Sequence, residues 1–164
     1  MTACEAGSLE IIEHILESNN DLINFKGENG SPLHAAISGK DSLKTINLLL
    51  PYYKDVLVAV NEPDLVGVRP LYLAVYCGSH DLTELLLFRG ADSKLATLSN
   101  VTLLHICAER GFSTIARLLL NKGGAKQLIY LADQDGNTPM HVAAEWDHID
   151  LVKIFVETGG EEME

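Results

Sequence analysis

Positive charge is scarce in this chain: 12 Lys and Arg stand against 23 Asp and Glu, a formal net charge of −11 over 164 residues. A surface that holds phosphates needs the opposite field, so neither nucleic acid nor an anionic membrane is an expected ligand, and a basic partner is favoured. Long apolar runs are missing as well; without about eighteen such residues in a row there is no membrane-spanning helix. Met1-Thr2-Ala3-Cys4-Glu5 has neither a basic start nor an apolar core, so it does not read as a secretory signal. Cysteine is limited to Cys4, Cys77 and Cys107, an odd count without close spacing, which excludes a disulfide framework and a zinc site and suits a cytoplasmic or nuclear compartment. Apolar content of 47% and charged content of 21% are ordinary for a soluble fold with a core.

What the chain does have is internal repetition. Ser31-Pro32-Leu33-His34, Arg69-Pro70-Leu71-Tyr72, Thr102-Leu103-Leu104-His105 and Thr138-Pro139-Met140-His141 are versions of one segment. Each leads into small residues (Ala35-Ala36, Ala74, Cys107-Ala108, Ala143-Ala144), a turn, and an aliphatic run such as Leu48-Leu49-Leu50 or Leu118-Leu119-Leu120. The starts lie 38, 33 and 36 residues apart, a base period of about 33 with insertions. Gly7 to Leu16 reads as the back half of one more copy.

Signature and period together resemble the ankyrin repeat, over the whole chain. The physical logic is local. Hydroxyls of Ser31, Thr102 and Thr138 can cap a starting helix, and Pro32, Pro70 and Pro139 then occupy the first helical position, where a missing N–H costs nothing. The small residues let a neighbouring helix approach, and Gly78 and Gly111 fall where the first helix must end in a left-handed residue. The aliphatic run cannot be buried by one repeat, so stacking buries it. The expected fold is an all-α solenoid of stacked helix-turn-helix pairs joined by β-hairpin loops. It is read as a single domain over 1–164, with approximate repeats at 1–26, 27–63, 64–96, 97–132 and 133–164.

Departures from the pattern are also legible. Arg69 brings no capping hydroxyl, Leu103 replaces proline, Tyr72 replaces histidine and Asp147 stands in the glycine place, so the third repeat is expected to be the least regular. Insertions fall in Gly39-Lys40-Asp41, in Pro51-Tyr52-Tyr53-Lys54-Asp55 and in Gly123-Gly124-Ala125-Lys126-Gln127. Three or four residues is about one helical turn. An added turn is one reading of the two longer insertions, but length drift in a tolerant loop is the expected one.

Chemistry is sparse. His34, His105 and His141 recur at one position in separate repeats, and helices packed about 8–10 Å apart cannot bring them onto one ion about 2 Å away. They read as histidines bonding backbone near a helix start, and His14, His80 and His148 as solvated helix or turn residues. Ser38-Gly39-Lys40-Asp41-Ser42 lacks the earlier glycine and the preceding strand of a phosphate loop. No catalytic motif stands out, and open repeat arrays lack an enclosed pocket, so no enzyme, cofactor or metal is expected.

In proteins with this resemblance, ligands lie in a groove lined by the hairpin tips and the turn-ends of the first helices. Mapped here, those positions give Leu65, Val66, Val68 and Tyr76 in the third repeat, Leu98, Val101, Glu109 and Arg110 in the fourth, and Asp135, Glu145 and Trp146 in the fifth. Hairpin tips should be polar, so the aliphatic residues there read as an interaction strip, or alternatively as groups that fold back into the core. Trp146 and Arg110 are residue types that carry binding energy. The implied function is a non-catalytic module presenting a concave groove to a protein or peptide partner with basic residues, the domain being a monomer. The alternative is a structural or regulatory segment packing on a neighbouring domain of a larger protein; a site for a small anionic ligand ranks below both. Because the chain begins without its first Thr-Pro and ends after Gly159-Gly160, it is expected to be a fragment of a longer protein.

Overall fold

A computed structural model describes residues 9–27, 30–97 and 99–160. Ten α-helices occur among them: α1 (Leu9–Ser18), α2 (Pro32–Ile37), α3 (Ser42–Leu49), α4 (Val56–Asn61), α5 (Pro70–Tyr76), α6 (His80–Phe88), α7 (Leu103–Arg110), α8 (Ser113–Lys122), α9 (Pro139–Glu145) and α10 (Ile149–Gly160). No strand forms among these residues; the loops before α5 and α9 are tight hairpins, Gly27 pairs with Gly30 ahead of α2, and Thr97 N–H donates to the Val101 carbonyl ahead of α7. The chain divides into two compact units, one running to Cys77 with Asp81–Ala91, the other comprising Gly78–His80 and the chain from Asp92.

The repeated segment starts helices as its chemistry requires. Ser31, Thr102 and Thr138 are extended N-caps, and in each the histidine three residues on returns a bond to the cap's own N–H. Those N–H groups donate to Nδ1 of His34 (3.3 Å), His105 (3.1 Å) and His141 (3.1 Å). Since Nδ1 accepts, the neutral ring carries its proton on Nε2. In the first unit His34 Nε2–H donates to the Val68 carbonyl at 3.0 Å, and in the second His105 Nε2–H donates to that of Asn137 at 2.9 Å. One ring thus caps its own helix and fastens the next hairpin. Arg69 has no capping bond of this kind; its Nε–H goes to the Asn61 carbonyl instead.

Behind this row the helices pack as pairs. Ala36 and Ala74 in the first unit, and Cys107, Ala108 and Ala143 in the second, are fully buried where helices meet, and the aliphatic runs supply Ile46, Leu49, Leu86, Ile115, Leu119 and Phe155 to the cores. Each CH₂ so buried contributes about 0.8 kcal/mol. Gly78 and Gly111 take φ of +70° and +74°, with the Phe112 and His148 rings respectively lying where a Cβ would go. Asp147 adopts the same left-handed region at φ 57°.

The two longer insertions are helical and not loose loops. The first continues α3 as a 3₁₀ turn, Leu50–Tyr52, and then forms α4, whose N-cap Asp55 accepts the Val58 N–H at 3.1 Å while Ala59 and Val60 are buried. The second forms the 3₁₀ turn Lys126–Tyr130, which buries Ile129. Both then serve a second fastening. Asn61 Nδ2 donates to the carbonyl of Gly90 at 2.9 Å, and the Tyr130 hydroxyl to that of Gly159 at 3.1 Å. Between them in sequence, Ser93 Oγ donates to Gly123. Three unlike residues thereby hold a glycine carbonyl at or just beyond the C-terminal end of the following second helix.

Burial pushes the His34 pKa below its usual 6.5, outweighing the Val68 carbonyl, Asp64 and Glu62, which favour the charged ring, while Lys26 adds to the lowering. The unfolded chain therefore takes the proton first as pH falls. The stability due to the neutral ring is present above about 6.5, declines below it and levels off beneath the folded-state value. In urea titrations the chain should exceed a His34→Leu variant by about 1–3 kcal/mol at pH 7.5, the cost of stranding Ser31 N–H and of leaving the Val68 carbonyl with the Asp64 N–H alone. That margin should shrink between pH 6.5 and 5; a constant margin would contradict the neutral, doubly bonded ring.

Candidate interaction surface

The hairpin of the first unit shows why its tip projects side chains. Asp64 Oδ1 accepts the N–H groups of Val66 (2.9 Å) and Val68 (2.8 Å), and Asp64 N–H donates to the Val68 carbonyl at 2.8 Å. The left-handed Gly67, φ +87°, closes the turn. With these main-chain polar groups paired within the loop, the outward content of the tip is aliphatic: Leu65 is 72% and Val66 80% exposed. Such exposure of two adjacent aliphatics has no stability rationale, since their burial would have been favourable. Val68 is half-buried, drawn in because its carbonyl is the His34 acceptor. At the other end of α5, Tyr76 is exposed and stacks on Tyr72, with ring centroids 6.2 Å apart and planes at 10°. The sequence marks Tyr72 only as a replacement for histidine and not as a contact residue; its four-residue spacing from Tyr76 along a helix is the available signal.

The second unit uses the same turn with different side chains. Asp133 Oδ1 accepts from Asp135 N–H (3.0 Å) and Asn137 N–H (2.9 Å), which leaves Gln134 and Asp135 exposed at the tip. In the preceding hairpin Thr97 Oγ1 accepts the Val101 N–H at 3.1 Å, and Val101 is half-buried; Leu98 lies outside the described residues. Gln134 N–H donates to the Ser99 carbonyl at 3.1 Å, joining the two hairpins side by side. At the turn-ends of α7 and α9, Glu109, Arg110 and Glu145 are exposed and Trp146 is 57% exposed. Glu109 and Arg110 are only 4.0 Å apart at their nearest polar atoms, a weak surface pair. His148 is not simply solvated: it is half-buried, covers Gly111 and has Nε2 3.3 Å from the Glu109 carbonyl.

Exposure alone does not mark a site. Leu57 and Val58 of α4 and Phe88 of α6 are also exposed, away from the hairpin and turn positions. Among the described residues no group of three His, Cys, Asp or Glu side chains is placed to hold a metal ion, and no helix is long and apolar enough to cross a membrane.

A family model described as ankyrin repeats, three copies, matches residues 1–97 and again 71–163. The chain belongs to the ankyrin-repeat family. Ankyrin repeats are protein-interaction modules and generally not catalytic. Three curated relatives illustrate the range. The E3 ubiquitin-protein ligase KEG of Arabidopsis thaliana is 24% identical over 160 residues, 98% of this chain and 10% of that protein. The nuclear factor NF-kappa-B p105 subunit of Rattus norvegicus is 28% identical over 160 residues, 92% of this chain and 16% of that protein. The NF-kappa-B inhibitor alpha of Sus scrofa is 26% identical over 132 residues, 79% of this chain and 42% of that protein. The ankyrin chain thus spans less than half the length of each of these relatives.

Two cysteines of the ankyrin fold should differ sharply in reactivity. Cys77 is exposed in the turn after α5, whereas Cys107 is buried between helices, which pushes its thiol well above the ordinary range. Iodoacetamide at pH 8 should label Cys77 in the folded protein and leave Cys107 at least about 100-fold slower until denaturant is added. Equal labelling rates, read by peptide mass spectrometry, would show that the core opens on that timescale.

Proposed function

We propose that this ankyrin domain is a non-catalytic interaction module that binds a protein or peptide partner through its hairpin tips and first-helix turn-ends. The contact residues are Leu65, Val66, Val68 and Tyr76 in the first unit, and Leu98, Val101, Glu109, Arg110, Asp135, Glu145 and Trp146 in the second. The observation that carries the reading is the Asp64 turn, which satisfies its own main chain and spends its tip on two strongly exposed aliphatics. Tyr76 in the first unit, and Trp146 and Arg110 in the second, are residue types that carry binding energy at interfaces. The acidic groups Glu109, Asp135 and Glu145 select a partner bearing Lys or Arg beside an apolar side chain, in keeping with the net charge of −11. Within this reading the domain acts as a monomer in the cytoplasm or nucleus.

The test is affinity capture from cytosolic lysate with the parent domain beside a Val66→Glu, Tyr76→Ala double variant. Val66 and Tyr76 are exposed, so the stability change should stay within about 0.5–1 kcal/mol. Retained proteins should be lost from the variant, and affinity for a purified one should fall at least about tenfold. Identical retention by both proteins would remove these residues from the site, and a collapse of stability would make them core.

A further inference from the structure

The insertion that forms α4 has two unlike sides. One supplies Ala59 and Val60 to the core, and the other presents Leu57 and Val58, 58% and 59% exposed. Polar residues there would serve packing equally well, since neither aliphatic gains much from folding. The end of α6 lies beside them in the same unit. Leu57 Cδ1 is 2.7 Å from the point where a Cβ on Gly90 would stand, so the bare glycine at φ +90° is what lets the leucine reach across. Asn61 Nδ2 holds the Gly90 carbonyl at 2.9 Å, which fixes α4 against the end of α6. Phe88, two residues before that glycine, is 83% exposed. Three large apolar side chains are thus displayed by two elements fastened to each other. The charge around them runs against that of the chain. Lys54, just ahead of the α4 cap, and Arg89, next to Phe88, are exposed, and neither makes an ion pair among the described residues. The acidic groups nearest in sequence are spent within the fold: Asp55 accepts the Val58 N–H, Glu62 pairs with Lys26 at 2.7 Å, Asp92 accepts the Lys94 N–H, and half-buried Glu84 has a partner of its own.

We propose that the outward side of α4, together with the end of α6, is a second docking surface, for a partner segment that sets Asp or Glu beside large apolar side chains. The apolar groups of that segment cover Leu57, Val58 and Phe88, and its carboxylates meet Lys54 and Arg89. Because α4 and α6 are already fastened at Gly90, little ordering is left to be done on binding. The preferred charge is the reverse of that at the hairpin surface, so the two surfaces take different partners. A second copy of this chain fits less well: in a symmetric pair this patch would face itself and bring like charges together. Two cations are also too few to hold an anionic membrane, which takes clusters of about four to eight.

The probe is a phage-displayed library of random peptides, selected on the Val66→Glu, Tyr76→Ala variant so that ligands of the hairpin surface drop out. Enriched peptides should carry Asp or Glu next to Leu, Ile, Phe or Trp. Affinity of a synthetic copy of the best one should fall at least about tenfold on adding Val58→Ser and Phe88→Ser. It should fall at least about fivefold on adding Lys54→Glu and Arg89→Glu instead, and it should weaken as salt is raised. All four positions are exposed, so neither pair should move the melting temperature by more than about 3 °C. Leu57 is kept because it packs over Gly90. No enrichment, enrichment of basic peptides, or affinity that survives either pair of substitutions would overturn the proposal. Self-association of the parent chain that Val58→Ser and Phe88→Ser abolish, measured by sedimentation, would assign the patch to a second copy and equally overturn it.

Discussion

A neutral imidazole shared between two repeats is the constraint from which the remaining geometry descends. Nδ1 of His34 or His105 must accept from the residue that starts its helix, and Nε2 must donate to the carbonyl that precedes the next start. These two bonds set where a helix begins and how far away the next hairpin stands. The hairpin in turn closes on Asp64 or Asp133, which decides which two residues reach the tip. Exposed Leu65 and Val66 are thus placed by a ring more than thirty residues upstream. A buried ring is also the more dependable support, since both nitrogens are satisfied and water competes for neither.

The third repeat shows what happens when that ring is replaced. Tyr72 has no nitrogen pair to share, and Arg69 beside it has no hydroxyl cap. The helix nevertheless forms, because Pro70 at its first turn and the buried Leu71, Ala74 and Val75 supply pre-organisation and packing. Tyr72 stacks on Tyr76 at one helical turn's spacing and gives the first unit a paired aromatic surface.

The starts of α2, α7 and α9 were legible because a hydroxyl and a histidine at fixed offsets act within four residues. The left-handed Gly78 and Gly111 were legible for the same reason, whereas the hairpins followed from the family resemblance. What escaped the sequence depended on distant partners. The insertion after α3 reads as loop drift until Ala59 and Val60 are seen packed in the core and Asp55 capping α4. His148 reads as solvated because its acceptor, the Glu109 carbonyl, is 39 residues away. For the candidate surface, Leu65, Val66 and Trp146 were readable as apolar residues at outward positions. Val68 and Val101 were read as equally outward, and their half-burial follows from a main-chain role that side-chain type does not encode.

The glycine carbonyls of Gly90 in the first unit and Gly159 in the second, gripped by an asparagine and a tyrosine from the preceding repeat, bear on mechanics. A joint fastened only at the imidazole end would behave as a hinge, with the far ends of the second helices free to fan apart. A second anchor, at the far end of the second helix, turns the hinge into a bracket that resists torque as well as separation. Because the anchor is made by unlike side chains onto equivalent glycine carbonyls, its strength can be tuned joint by joint without disturbing the repeat signature. The signature thus records how repeats are spaced, and the anchors record how stiffly.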